Sequence, residues 1–294
     1  MAPFFTGLAK GLGGYGFGKL SGGELPPSPI SATGGTKTIV GSYTVHTFTS
    51  GSSTFEITSG AGLVEYIVVA GGGGGYHSTG NQNSGGGGAG GLLSNHPSMP
   101  SPLRGSSLPL GPGPYPVVVG AGGRGGFFGN SQGNPGDRGG NSNFWTIIAA
   151  GGGTTGIAPD SSRLEPGGSG AGGFAAEGGG TGNTPPTSPP QGNPGGAGRP
   201  YNLSDGSGGG GAGGSGNPGG AGGLGGAGIA LDFPGAGTPV TYAQGGNGST
   251  RPASPTSANT GNGGYSLYTP GSGFPGLPRA PSGAPGIVII RYLT

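Results

Sequence analysis

The stretch Gly208-Gly-Gly-Gly-Ala-Gly-Gly-Ser-Gly-Asn-Pro-Gly-Gly-Ala-Gly-Gly-Leu-Gly-Gly-Ala-Gly228 decides how this chain is read. Taken in threes from Gly210, a glycine recurs at 213, 216, 219, 222, 225 and 228. The second place is also glycine, except at Asn217, and the third holds Ala212, Ser215, Pro218, Ala221, Leu224 and Ala227. A period of three is that of a left-handed polyproline-II type helix, with about three residues per turn. Two of its three edges then carry no side chain, so neighbouring backbones can approach closely. Such a helix makes no internal hydrogen bonds, so its buried N–H and C=O groups must bond to neighbours. The tract therefore predicts bundled glycine rods.

Over the whole chain glycine supplies 84 of 294 residues and proline 30, a composition whose default reading is low-complexity disorder. Charged residues are only 7%, too few to keep a disordered chain solvated, and the apolar residues gather into short β-like runs. Collagen would need an unbroken Gly-X-Y phase with one glycine edge. Here the phase slips often and two edges are glycine. Gly120, Gly123, Gly126 and Gly129 keep the period, as do Gly192, Gly195 and Gly198; it breaks near Pro159, Pro185-Pro186 and Pro189-Pro190, where turns would reverse the chain.

Between these tracts lie strand-like runs of β-branched and aromatic residues: Thr36–Val40, Tyr43–Thr49, Thr54–Thr58, Leu63–Val69, Pro116–Val119, Asn143–Ala150, Gly228–Phe233 and Val240–Ala243. The most hydrophobic run closes the chain, Gly286-Ile-Val-Ile-Ile-Arg-Tyr-Leu293. A strand this apolar invites aggregation at an edge, so it should pair with the early strands of 43–69. No amphipathic helix is evident. The expected fold is all-β, without α-helix: a small antiparallel β-sandwich or jelly-roll-like domain whose glycine-rich insertions form a polyglycine-II bundle. Residues 1–35 read as an N-terminal arm carrying Phe4, Phe5, Tyr15 and Phe17. Residues 36–294 form the glycine-rich domain, with strands in 36–70, 116–150 and 286–293 and insertions at 71–115 and 151–285.

The net charge of +2 implies no polyanion, hence no nucleic acid, and cysteine is absent. Met1–Lys19 does not read as a secretory signal, and no apolar run approaches the roughly 20 residues of a membrane span. A chain neither exported by that route nor inserted in a membrane is expected.

Catalytic motifs dissolve on inspection. Gly120-Ala-Gly-Gly-Arg-Gly125 matches a dinucleotide fingerprint, but a helix must open there, and Gly126-Phe-Phe-Gly-Asn-Ser-Gln-Gly-Asn-Pro135 cannot be one. At this glycine content chance supplies roughly seven such matches. Gly13-Gly-Tyr-Gly-Phe-Gly-Lys-Leu20 has Leu20 where a P-loop needs Ser or Thr, and Gly123-Arg-Gly-Gly126 is a single RGG copy. His46, His77 and His96 lack metal-ligand spacing, and the acidic residues form no pair. The expectation is no enzyme, no cofactor and no metal. A contact surface is the better lead, since aromatics dominate binding hot spots. Tyr76, Phe127, Phe128, Trp145, Phe174, Tyr201, Tyr265 and Tyr268 sit in or beside glycine tracts as candidates, against the plainer role of plugging the bundle or packing on the sandwich.

Val64-Glu-Tyr-Ile-Val-Val-Ala-Gly-Gly-Gly-Gly-Gly75, preceded by Tyr43-Thr-Val-His-Thr-Phe-Thr49 and Thr54-Phe-Glu-Ile-Thr58, resembles the glycine-rich domain of bacteriophage tail-fibre and other virion structural proteins. Gly286-Ile-Val-Ile-Ile-Arg-Tyr292 looks like that family's terminal strand, and the similarity spans about 40–294. The layout is also similar to the extracellular glycine-rich domain of anaplastic lymphoma kinase-type receptors, without their cysteines, signal or kinase. The resemblance implies a virion protein, a tail fibre or adhesin, whose arm docks on other virion proteins. It would touch host surface polysaccharide or an outer-membrane protein, and a homotrimer is implied by analogy with fibres. Alternatives are a capsid decoration or head-fibre protein without receptor binding, and a cell-wall or matrix glycine-rich protein.

Overall fold

A computed structural model describes residues 29–79, 84–127, 135–155, 165–174, 178–199, 206–220, 223–233, 235, 237–248, 257–269 and 279–294. Two sheets carry the fold. One has five strands in the order β1 (Ser31–Thr33), β4 (Gly51–Ser59), β9 (Gly113–Val119), β10 (Ser142–Phe144) and β11 (Ile147–Ala149). The other runs β2 (Thr36–Val40), β3 (Tyr43–Phe48), β15 (Ile287–Leu293), β5 (Gly62–Val69) and β7 (Leu92–Ser94), and β8 (Leu108–Leu110) also pairs with β5. All pairings within these sheets are antiparallel. Among the described residues helical structure is limited to one 3-10 turn, Ser101–Leu103. The all-β, sandwich-like expectation holds.

The closing strand pairs with β3 on one side and β5 on the other, as its hydrophobicity demanded. Its run is apolar everywhere but Arg291 because both faces are covered. Val288, Ile290 and Tyr292 face the other sheet, in a core with Phe55, Phe144, Val117 and Phe48. Ile287 and Ile289 face away, against Leu231, Phe233 and Tyr242 from the small hairpin of β12 (Ile229–Leu231) and β13 (Val240–Tyr242). The six-stranded sheet is thus the middle of three layers. Full burial of a Phe or Ile side chain contributes about 1.5–3 kcal/mol, so Phe55, Phe144 and Ile290, all fully buried, anchor the sandwich.

Residues 143–150, read above as one strand, form two: β10 and β11 are a hairpin turned at Trp145-Thr146. Trp145 takes a left-handed φ of 52° and donates its N–H to the Pro116 carbonyl, so a tertiary bond holds a conformation that hairpin turns usually leave to Asn or Gly.

From the strand ends the glycine rods run outward. Consecutive amides of the rod 70–75 donate in three directions: Gly71 to Gly140, Gly72 to Ala284, Gly73 to Gly88, and then Gly74 to Asp137 and Gly75 to Pro281. Each neighbour returns after three residues. The carbonyls of Gly71, Gly72 and Gly73 accept from Gly152, Gly123 and Gly264, on three further rods. One rod therefore has six neighbours, the hexagonal packing of polyglycine II. Glycine is obligatory here: a Cβ on Gly73 would stand 2.1 Å from the Gly153 oxygen, and one on Gly72 2.1 Å from that of Asn262.

The sheet ladders pass into the bundle without losing register. The β5–β7 pair Val69–Leu92 continues as Ala70 with Gly91 and Gly73 with Gly88. The β5–β15 pair Val69–Ile287 continues as Gly72 with Ala284 and Gly75 with Pro281. The β9–β10 pair Val118–Asn143 continues as Ala121 with Gly140 and Arg124 with Asp137. Only the repeat changes, to every third residue.

Residues 120–127 keep the predicted two-edged register. Cβ atoms on Gly120 and Gly123 would strike the rod 137–140, those on Gly122 and Gly125 would strike 280–283, and Ala121 and Arg124 are exposed. The tract 208–228 departs from the single-rod reading. It folds back on itself: Gly211 donates to Gly214 and Gly208 to Asn217, and Asn217 then donates to Leu224. Gly220 and Gly223 have left-handed φ values of 88° and 56°, which reverse the chain there without a proline.

Candidate functional site

The rods have a near end, at the sandwich, and a far end. Ala70, Gly91, Gly120, Ala150, Gly228, Ala243 and Gly286 adjoin strands and define the near end. At the far end Gly75, Gly126 and Pro281 come together, since Gly75 donates to Pro281 and Gly126 to Gly75. Thr155 joins Gly85 and Gly172 there through its hydroxyl (3.2 and 3.0 Å), and Gly86 meets Ser207. The Ser266 hydroxyl donates to Ser84 O at 3.1 Å, and β14 (Leu267–Thr269) pairs in parallel with β6 (His77–Thr79). So the described residues flanking 80–83, 128–134, 156–164, 175–177 and 270–278 all lie at this end.

The side chains found there are mixed. Tyr76 and Phe174 are fully buried, with ring centroids 5.5 Å apart, so they plug the bundle and offer no surface, correcting their place among the contact aromatics. They suit that role because a glycine lattice has no other means of filling space where rods splay. Phe127 is 46% exposed, with the Arg279 guanidinium 4.9 Å from its ring centre. Tyr265 is half-buried. Arg138 Nε lies 3.3 Å from Glu165 Oε2 on the same end, an exposed pair of small energetic value.

Trp145 is elsewhere, in the β10–β11 turn, 42% exposed and edge-on to Tyr115 at 5.6 Å. Tyr268 lies in β14. Phe128 and Tyr201, and the arm residues Phe4, Phe5, Tyr15 and Phe17, lie outside the described residues.

The three histidines are all buried, and burial pushes each below its ordinary range. His46 Nδ1 is 2.7 Å from the Gly34 carbonyl, which can only accept, so Nδ1 carries the proton. Nε2 then accepts from the Tyr292 hydroxyl at 3.2 Å. His96 Nδ1 is 2.5 Å from Ser98 Oγ, and the nearby Arg291 charge adds to the depression of its basicity. Arg291 Nε and Nη2 each lie 2.6 Å from Glu65 Oε2, and the guanidinium covers the Tyr43 ring at 4.1 Å. These groups hold layers together. Among the described residues no cluster of His, Asp or Glu is disposed to hold a metal, and no helix is long and apolar enough to cross a membrane.

Sequence reasoning missed the polar pins of the bundle. Gln191 Oε1 accepts from the Ala150 amide at 2.7 Å, Asn262 Oδ1 from Gln244 at 2.9 Å and Asn247 Oδ1 from Gly225 at 2.9 Å. The isolated Asn and Gln residues inside glycine tracts are the signal: each replaces a carbonyl where a neighbouring rod is out of step. With this geometry established, comparison with known proteins adds one match. The family described as glycine-rich domain covers residues 47–293. No curated protein matches.

Proposed function

We propose that this chain, which belongs to the glycine-rich domain family over most of its length, is a rigid display scaffold of a phage particle: a tail-fibre or adhesin protein that presents its far-end connections to a host surface. One observation carries the reading. Five separate connections leave and re-enter the described structure at the same end of a bundle whose glycine rods pack backbone against backbone. Recognition residues concentrate on loops held by rigid scaffolds, and a cross-linked glycine lattice is rigid in all three directions. On this reading the part of the N-terminal arm that precedes β1 docks on the particle; Ser31–Thr33, counted in the arm 1–35 above, belong to the sandwich as β1.

The test uses the purified full chain in an immobilised-cell binding assay, with a variant in which 128–134 and 270–278 are replaced by Gly/Ser connectors of equal length. Binding to host cells or their surface polysaccharide, lost in the variant at unchanged melting temperature, supports the reading. No binding by the intact chain, while purified particles retain it on the capsid, refutes the adhesin and favours a decoration protein. Absence of the chain from purified virions refutes both.

A further inference from the structure

A cavity of about 540 Å³ opens on the flank of the sandwich, away from the far end of the rods. Its floor is Tyr66 of β5 and Leu93 of β7; its walls are 105–108, the β10–β11 hairpin and 187–189. The walls are pinned. Asn183 Oδ1 accepts from Thr187 N (3.1 Å), Thr187 Oγ1 (2.9 Å) and Gln191 N (3.2 Å), folding 183–191 onto itself. Gln191 then ties that loop to Ala150, just beyond β11, and its Nε2 donates to Pro185 O at 2.8 Å. On the other side Asn95 completes the edge of β5, accepting from Tyr66 N at 2.8 Å and donating to Val64 O at 2.9 Å. The site is pre-formed.

Its chemistry is uncharged. Apolar surface comes from Leu93, Leu108, Ile147 and two prolines, and the polar lining is hydroxylic: Ser106, Ser107, Thr146 and Ser188. Tyr66 is the only ionisable residue in the lining, and burial pushes its phenol up, so it stays protonated. Tyr66 is 6% exposed, and among the described residues its hydroxyl has no hydrogen-bond partner. That hydroxyl points at Gly105, where a Cβ would come within 2.7 Å of it; glycine there leaves the oxygen open to the cavity. Open to the cavity and unengaged by the protein, the hydroxyl can bond a ligand in place of water.

We propose that this cavity binds a neutral saccharide unit, anchored by a hydrogen bond to Tyr66 Oη and packed by one face on Leu108 and Ile147. An ionic ligand would lose its hydration with no counter-charge in the lining to replace it. A purely apolar ligand would leave the hydroxyls unmet. A pyranose offers both an apolar face and a ring of hydroxyls, and the volume falls in the usual range for small-ligand sites, about 300–1,000 Å³. The site goes beyond the display reading, since it lies on the sandwich and uses none of the far-end connections.

The experiment is calorimetric titration of the full chain with glucose, galactose and N-acetylglucosamine, their β-linked disaccharides, glucuronic acid and a proline-rich peptide. Saturable binding of at least one neutral sugar is expected, weakened about tenfold by Tyr66→Phe, the effect of one buried hydrogen bond. Ile148→Arg, a charge at a 53% exposed position on the rim, should weaken it too without touching the core. Replacing 128–134 and 270–278 should leave it unchanged, which separates this site from the display reading. No sugar binding, binding of glucuronic acid or the peptide alone, or affinity untouched in both folded variants would each overturn the proposal.

Discussion

Substituting Gly73 by alanine adds one methyl group to a small residue, yet the lattice makes it a severe change. The new Cβ would lie 2.1 Å from the Gly153 carbonyl oxygen, 2.8 Å from its carbon and 3.0 Å from the Gly152 oxygen, all backbone atoms. No rotamer relieves this, so the rods 70–75 and 150–155 must part by about 1 Å, since real Cβ contacts lie near 3.4 Å and beyond. Three bonds share the displacement: Gly73 to Gly88 (2.9 Å), Gly264 to Gly73 (2.9 Å) and Gly88 to Gly153 (2.9 Å). At about 1–3 kcal/mol for each buried group left unpaired, losing two of them costs about 2–6 kcal/mol. That is a large fraction of a typical stability of about 5–15 kcal/mol. Gly41→Ala is the control: its φ is 58°, but nothing lies within 4 Å of the new Cβ, so only left-handed strain of about 1–2 kcal/mol applies. Urea unfolding followed by the fluorescence of Trp145, the only tryptophan, gives both values. Native-state hydrogen exchange should show the amides of 71–75 among the slowest in the chain. A Gly73→Ala cost no greater than that of Gly41→Ala, or unprotected amides in 71–75, would refute close packing of the rods.

Acid should destabilise the protein through its histidines. His46, His77 and His96 have folded values held below 6.5, so the unfolded chain takes up protons first as pH falls past 6.5. Stability is full above that point and declines below it, by up to about 1.4 kcal/mol per pH unit for each histidine still neutral in the fold; urea midpoints at pH 8 and pH 5.5 that coincide would contradict the buried neutral rings. Arg291→Met should cost about 3 kcal/mol by stranding Glu65, and adding Glu65→Leu should recover most of it. A double variant no more stable than Arg291→Met would place the cost in the lost Tyr43 and Phe233 ring contacts instead.

The strands were legible because each carries a local signal. Gly286–Leu293 is apolar at every place but Arg291, and a strand buried on both faces is the simplest way to satisfy such a run. Arg291 itself was opaque: its charge is met by Glu65, far away in sequence but directly across the ladder. The short strands Leu92–Ser94 and Leu108–Leu110 went unseen because three residues show no period, and their pairing with β5 is imposed by tertiary contact. The rods were legible as a class, from the period of three, but their reversals were not. Prolines suggested turns at 185–190, which do lie at the sandwich end, whereas Gly211–Gly214 turns without a proline. The far-end grouping was invisible, since rod direction depends on where each rod starts. The aromatic candidates split accordingly: composition cannot tell Phe127, exposed on a rod's outer edge, from Phe174, sealed between rods.

The continuity of register explains why sandwich and bundle form one structure. Polyproline-II and β backbone lie in the same broad region of φ and ψ, so a strand can enter a rod without a turn. What changes is the direction of successive amides: two opposed directions in a sheet, three around a rod. Side chains forbid the second arrangement, because each would fall on a neighbour's carbonyl, and glycine permits it. The switch therefore comes where side chains stop. Val69 pairs within the sheet, and Ala70 through Gly75 pair around the rod. A rod alone would have nothing to set its phase, since every glycine is equivalent to the next. The ladder Val69–Leu92 sets the phase for Gly73 with Gly88, and Val69–Ile287 sets it for Gly75 with Pro281. The sandwich is thus the template of the bundle. Breaking it with Val288→Asp, at a fully buried core position, should unfold the rods in the same transition. Two separate transitions, with 71–75 still protected after the sandwich has melted, would show that the glycine lattice finds its register alone.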